Sequence, residues 1–381
     1  MELGQLKGEM IVCAMCGSCV VDCPSRRVKT FDSYSSRGRI VLSELLMRER
    51  IKPTPELVDR IYTCTTCKRC NETCTAHVKV YEINEATRAR MVELGTPPPA
   101  HYIQLAENIE RVGNVVGESQ AVRSKLAEEL LPTRRPEAET LLWVGCMASY
   151  RFDKVAQAVA RVLREADYEF TMLGEGETCC GDPYLAMGYR DRFEERAKRN
   201  LALFNERGIK RIVTGCPMCA KAFKVDYPEH LGPHDLEVLH ISELLSQLIE
   251  RGSIEFVNEV PLNTTYFDPC HLGRHLDVFE QPRAVLRAIS GLKFGEIPEY
   301  NKANSWCCGG PVRIAYTDLA VKISETVTDR AADAGYEAIV TSCPQCLHSL
   351  RFATFDLKVY DLAEIVAASM GVQELGTGFI E

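Results

Sequence analysis

The chain has 381 residues, long enough for two or three domains with a well-buried core. Apolar residues make up 46% and charged ones 26%, the balance of a water-soluble globular protein. A net charge of -8 without a basic tract argues against a nucleic-acid binder, and no run of about 18 apolar residues offers a membrane span. Met1-Glu2-Leu3-Gly4 has neither the basic start nor the apolar core of a signal peptide. The expected location is the cytoplasm, with any membrane association made through a partner. Thiols are kept reduced there, so the 18 cysteines are not expected to form disulfides. They fall into ligand-spaced groups of four, four, five and five, with none left over.

Residues 13–24 contain Cys13, Cys16, Cys19 and Cys23 followed by Pro24, the bacterial ferredoxin run C-x2-C-x2-C-x3-C-P. It repeats as Cys64, Cys67, Cys70 and Cys74, with Thr75 in place of the proline. The fourth cysteine of each run in two-cluster ferredoxins binds the other cluster. One cubane [4Fe-4S] cluster is therefore expected on Cys13, Cys16, Cys19 and Cys74, and a second on Cys64, Cys67, Cys70 and Cys23. Zinc ribbons also use C-x2-C pairs, but two pairs suffice for zinc and this four-cysteine rhythm goes beyond them.

Between the runs, Arg37 to Arg50 spaces its apolar residues helically, with Pro53 and Pro55 as its stop. Thr54-Pro55 then opens a fresh helix leading into Cys64. A helical ferredoxin domain over 1–95 is followed by the stiff Pro97-Pro98-Pro99 and a helical linker over 96–136, closed by Pro132 and Pro136.

From residue 137 the pattern becomes alternating strand and helix. Leu141 to Gly145 is an apolar run ending at Cys146. Helices are expected at about Phe152 to Ala166 and Arg190 to Arg207, the latter closed by Gly208. Ile209 to Thr214 is a strand that delivers Cys216 and Cys219. The same plan returns as Thr264 to Phe267 before Cys270, a helix from Leu319 to Ala334, and Ala338 to Thr341 before Cys343 and Cys346. Between the lone cysteine and the Cys-Pro-x-Cys pair of each copy stands Cys-Cys-Gly, at Cys179-Cys180 and Cys307-Cys308. Equivalent cysteines lie 124, 128 and 127 residues apart, a duplicated domain over 137–255 and 256–381 rather than a solenoid. Alternating strands and helices predict parallel sheets, giving a multidomain α+β and α/β chain. Ligands then sit beyond the carboxyl ends of the strands, facing helix amino termini.

Five thiolates exceed what one tetrahedral zinc takes and suit a site with several irons. The two Cys…Cys-Cys-Gly…Cys-x-x-Cys patterns behind a two-cubane module resemble the catalytic subunit of heterodisulfide reductase, above all the type with both parts fused in one chain. That resemblance spans nearly the whole chain. It implies a non-cubane [4Fe-4S] cluster on Cys146, Cys179, Cys180, Cys216 and Cys219, and another on Cys270, Cys307, Cys308, Cys343 and Cys346. It further implies reduction of a disulfide, the mixed disulfide of coenzyme M and coenzyme B, within anaerobic metabolism such as methanogenesis. The same domains occur in iron–sulfur subunits of flavin-linked dehydrogenases acting on lactate, glycolate or glycerol 3-phosphate, often with an eroded first set. All ten cysteines are kept here.

A redox partner is expected to supply electrons: a flavoprotein, a hydrogenase- or formate dehydrogenase-linked subunit, or a membrane cytochrome. An anionic disulfide calls for cations, and Lys221, Lys224, His271, Arg274, Arg313 and His348 follow the ligand loops. Taken singly, each reads more simply as a solvated helix residue. Glu177 and Asp182, flanking the first vicinal pair, read more simply as solvated loop residues than as catalytic carboxylates. Gly174-Glu175-Gly176 lacks the third glycine of a dinucleotide site, so no bound nicotinamide or flavin is expected.

Overall fold

The computed structural model describes residues 1–131 and 138–379. The expected boundary at Pro132 to Pro136 lies outside them. Among the described residues, everything before Thr140 is helix, turn or coil. Helix Ser36–Met47 starts where the Ser35 hydroxyl accepts the Gly38 N–H at 3.0 Å, and it ends before Pro53 is reached. Helix Pro55–Tyr62 is capped as expected by Thr54, whose hydroxyl accepts the Leu57 N–H. Helix Val80–Glu93 is buried on nearly every side.

The expected linker is two helices, Ala100–Val112 and Ala121–Leu130, broken at Gly113 with φ +79°. They are no spacer. Tyr102 donates to the Pro311 carbonyl at 3.0 Å, and Ala121–Leu130 packs on the turn Gly174–Gly176.

The rest is a duplicated α/β unit. Strands β1 (Thr140–Trp143), β2 (Arg211–Thr214) and β3 (Glu237–His240) form one parallel sheet in that order. Strands β4 (Asn263–Phe267), β5 (Lys293–Gly295), β6 (Ala338–Thr341) and β7 (Lys358–Asp361) form a second parallel sheet, ordered β5-β4-β6-β7. The first copy reduces the β5 equivalent to one bridge, Leu141 with Thr171.

One apolar core runs through both copies, joining Leu142, Val213 and Leu245 to Tyr266, Val340 and Val366. Helix Asp153–Glu165 packs on Leu362–Ser369, and Ile241–Glu250 packs on Glu280–Ala288, so each copy lends helices to the other. Among the described residues, no helix is long and apolar enough to cross a membrane.

Candidate iron–sulfur and substrate site

The ferredoxin runs interleave. Cys13, Cys16, Cys19 and Cys74 line one small cavity, while Cys23, Cys64, Cys67 and Cys70 line another. Cys16 is the exposed thiol of the eighteen. Arg39, buried in helix Ser36–Met47, donates to Cys23 Sγ at 3.6 Å, to the Arg60 carbonyl at 2.7 Å and to Thr63 at 3.1 Å. A cation thus stands beside a thiolate ligand position in the interior. Helical spacing marks Arg39 as part of a helix, and nothing in that pattern says which way it faces.

Both five-cysteine sets adopt one layout. Cys146 and Cys270 follow β1 and β4, and Cys216 and Cys343 directly precede the short helix Pro217–Lys221 and helix Pro344–Ala353. The thiols act on one another in the same order in each: Cys146, Cys179, Cys180, Cys219, Cys216, and Cys270, Cys307, Cys308, Cys346, Cys343. Cys346 Sγ is 3.2 Å from Cys308 Sγ. The glycine after each pair is explained by its backbone. Gly181 (φ +95°) and Gly309 (φ +73°) are left-handed, and their N–H groups return to Cys179 Sγ at 3.4 Å and Cys307 Sγ at 3.3 Å. The Cys179 thiol lowers Cys180 to about 7, and the Cys307 thiol likewise lowers Cys308.

What surrounds the two sets differs. In the first, Arg123 donates to Cys146 Sγ at 3.3 Å and pairs with Glu177 at 2.6 Å, both buried. Glu177 also accepts the N–H groups of Val144 and Gly145 at 3.0 and 2.8 Å. Burial pushes its carboxyl up while Arg123 pulls it back. Glu177 is therefore no solvated loop carboxylate: its donors would otherwise be buried and unanswered. Asp182 is buried too, at the start of helix Asp182–Met187, 4.0 Å from Lys221 Nζ. In the second set, His271 Nδ1 lies 3.4 Å from Cys270 Sγ, and Arg274 is buried close by.

Of the six cations, Lys221 is buried, with Nζ 2.7 Å from both Asp226 oxygens across a π-helical turn, Ala222–Asp226, that brings residues five apart together. Lys224 alone fits the solvated description, 3.7 Å from Glu243. Arg274 faces the N-terminal module. His271, Arg313 and His348 line a cavity of about 620 Å³, walled by both copies together with the N-terminal module and the linker helices. All five cysteines of the first set line it as well, together with Gly310 and Gln345 beside the second set. Arg313 stacks on Phe352 at 3.8 Å, and its Nη1 and His348 Nδ1 have no partner among the described residues. Burial, then Arg313 and Arg151, bring His348 down to about 4. Acidic Glu85 and Asp182 share the wall.

Donor sets made of thiols, answered by backbone N–H groups and buried guanidinium groups, suit anionic iron–sulfur groups. Comparison with known proteins agrees. A family model described as a cysteine-rich domain matches residues 140–224 and 264–351, and a 4Fe-4S dicluster domain matches residues 9–78. The chain is 30% identical over 389 residues to the D-type chain of the dihydromethanophenazine:CoB--CoM heterodisulfide reductase of Methanosarcina barkeri, covering 96% of this chain and 95% of that one.

The chain belongs to the D-type family of heterodisulfide reductase chains.

It is thus an iron–sulfur oxidoreductase with parallel-sheet cysteine-rich domains behind a dicluster module. Proteins similar to this heterodisulfide reductase-type chain include the EtfAB:quinone oxidoreductase of Syntrophomonas wolfei, 33% identical over 82% of this chain and 47% of that protein. A hypothetical protein from Helicobacter pylori, known from a crystal structure, shares the fold at TM-score 0.50 and 11% identity, over 89% of this chain and 68% of that one.

Proposed function

We propose that the chain takes one electron at a time at its N-terminal module and reduces a disulfide in the cavity that both copies help to wall. The substrate is the mixed disulfide of coenzyme M and coenzyme B. Cys13, Cys16, Cys19 and Cys74 would hold one cubane [4Fe-4S] cluster, and Cys23, Cys64, Cys67 and Cys70 a second. The ten remaining cysteines would hold two non-cubane [4Fe-4S] clusters in the sets named above. Bound clusters supply stepwise electron storage and transfer. The overall change is one S–S bond broken, two electrons and two protons taken up, and two thiols released.

The observation that carries this reading is the 620 Å³ cavity, walled by the whole first set and by loops of the second, with Arg313 and His348 in its lining. The Arg313 guanidinium, held flat by Phe352, suits an anionic end of such a substrate. Exposed Cys16 marks the face for a redox partner, a flavoprotein, a hydrogenase- or formate dehydrogenase-linked protein or a membrane cytochrome, beside which this chain works in the cytoplasm. The test is turnover of the heterodisulfide by the anaerobically isolated, reduced chain with an artificial donor.

The likeness to the EtfAB:quinone oxidoreductase supports a second reading, an electron relay for a flavin-linked dehydrogenase of the lactate, glycolate or glycerol 3-phosphate type. No turnover alone, with activity restored only by a flavoprotein, would decide for the relay.

A further inference from the structure

The two copies meet the N-terminal module unequally. Cys67, Cys307 and Cys270 belong to one packed cluster that includes Val312 and Leu319. Cys67 and Cys307 also line a narrow cleft with Arg69 and Trp306. Among the described residues no other cysteine of the module shares a packed cluster with a cysteine of either copy.

Arg274 closes this junction. Its Nε donates to the Cys67 carbonyl at 2.6 Å, and Nη1 donates to the carbonyls of Ser305 at 2.7 Å and Ala303 at 3.2 Å. One guanidinium therefore ties a loop of the module to the loop that leads into Cys307. Nη2 is buried and has no partner among the described residues. Such a donor is costly to the fold unless something answers it. The sulfurs of Cys67, Cys270 and Cys307, packed in one cluster at this junction, are the candidates to answer it.

Arg69 reinforces the clamp, reaching Ala303 O at 2.9 Å and Asp22 at 3.0 Å, and Arg27 lies over the Trp306 ring at 4.0 Å. The first copy is built differently. Four residues beyond Cys146 stands Tyr150 where Arg274 follows Cys270, and its cation, Arg123, comes from the linker helix.

We propose that Arg274 is the positioning residue of this junction, clamping the Cys67 loop to the Cys307 loop and placing its charge between both thiolate sets, so that electrons enter the duplicated half at its second cysteine set. The inference rests on the reading that these cysteines hold clusters. A buried cation shared by two anionic groups favours the reduced form of each. One electron is lost on the Cys67 side and one is gained on the Cys307 side, the ultimate donor being a one-electron carrier such as titanium(III) in the test.

The experiment is a redox titration of the full anaerobic protein followed by electron paramagnetic resonance, with hydrogen exchange measured on residues 64–70. Arg274→Gln is expected to weaken binding of the added electron about tenfold or more, a fall of roughly 59 mV or more in two midpoints only. Arg274→Lys keeps the charge, so its midpoints stay near wild type, while exchange at 64–70 rises because the fork is gone. Unchanged midpoints in Arg274→Gln, or an equal fall in all of them, overturn the proposal. Should Arg274→Gln fail to assemble, Arg274→Lys decides: wild-type exchange at 64–70 overturns the clamp and faster exchange supports it. A wild type without iron–sulfur signals would instead overturn the proposed function, and this inference with it.

Discussion

Single residues around the sulfurs show which chemistry each position tolerates. A Cβ on Gly309 would lie 2.6 Å from the Ala320 carbonyl, on a backbone already left-handed. Gly309→Ala is therefore expected to cost about 1–3 kcal/mol in strain and displace Cys307 and Cys308. Anaerobic iron analysis should show a loss of about four irons per chain. The Arg123–Glu177 pair makes a second case, since both groups are buried and both position Cys146 or its loop. Arg123→Met should destabilise by about 3–5 kcal/mol by leaving a buried carboxylate unanswered. The double variant Arg123→Met with Glu177→Gln should recover part of that loss in a double-mutant cycle on denaturant midpoints. Spacing alone brought out every cysteine, because thiol rhythm is a one-dimensional signal. Arg39, Arg123 and Arg274 needed the fold, since a guanidinium reaches a sulfur from a helix or loop far along the chain.

Among the elements, the long helices and the strands ahead of the cysteines were legible from periodicity and from the Gly208 and Gly335 stops. Strands β3, β5 and β7 were not: three or four residues carry too little alternation by themselves, and no cysteine follows these three to mark where a strand ends. Two of them end in matching capping boxes that only the structure pairs. His240 with Glu243 opens helix Ile241–Glu250, and Asp361 with Glu364 opens Leu362–Ser369. His240 also bonds to Gly215 O at 3.2 Å.

Burial drives the His240 imidazole down to about 4, against about 6.5 for an unfolded chain. Between those values the unfolded state binds a proton that the folded state refuses. The His240 contribution is thus intact above about pH 6.5 and is lost as pH falls toward 4, at up to about 1.4 kcal/mol per pH unit. His240→Asn, which keeps a capping acceptor, should unfold with a shallower loss between pH 7 and 5 when thermal midpoints are compared.

At the scale of the whole molecule, the proposed function carries an expected metal content. About sixteen irons and matching sulfide are expected in anaerobic material from two cubane and two non-cubane clusters. Serine at both vicinal pairs, 179–180 and 307–308, should halve that number. The shared apolar core has a further mechanical result. Leu245 and Val366, drawn from different copies, sit in one packed body. Methyl relaxation should therefore show them tumbling as a single rigid unit. A jaw that cannot open keeps a constant gauge, so under the proposed function an incoming molecule would be selected by its length against a fixed caliper rather than by a closing hand.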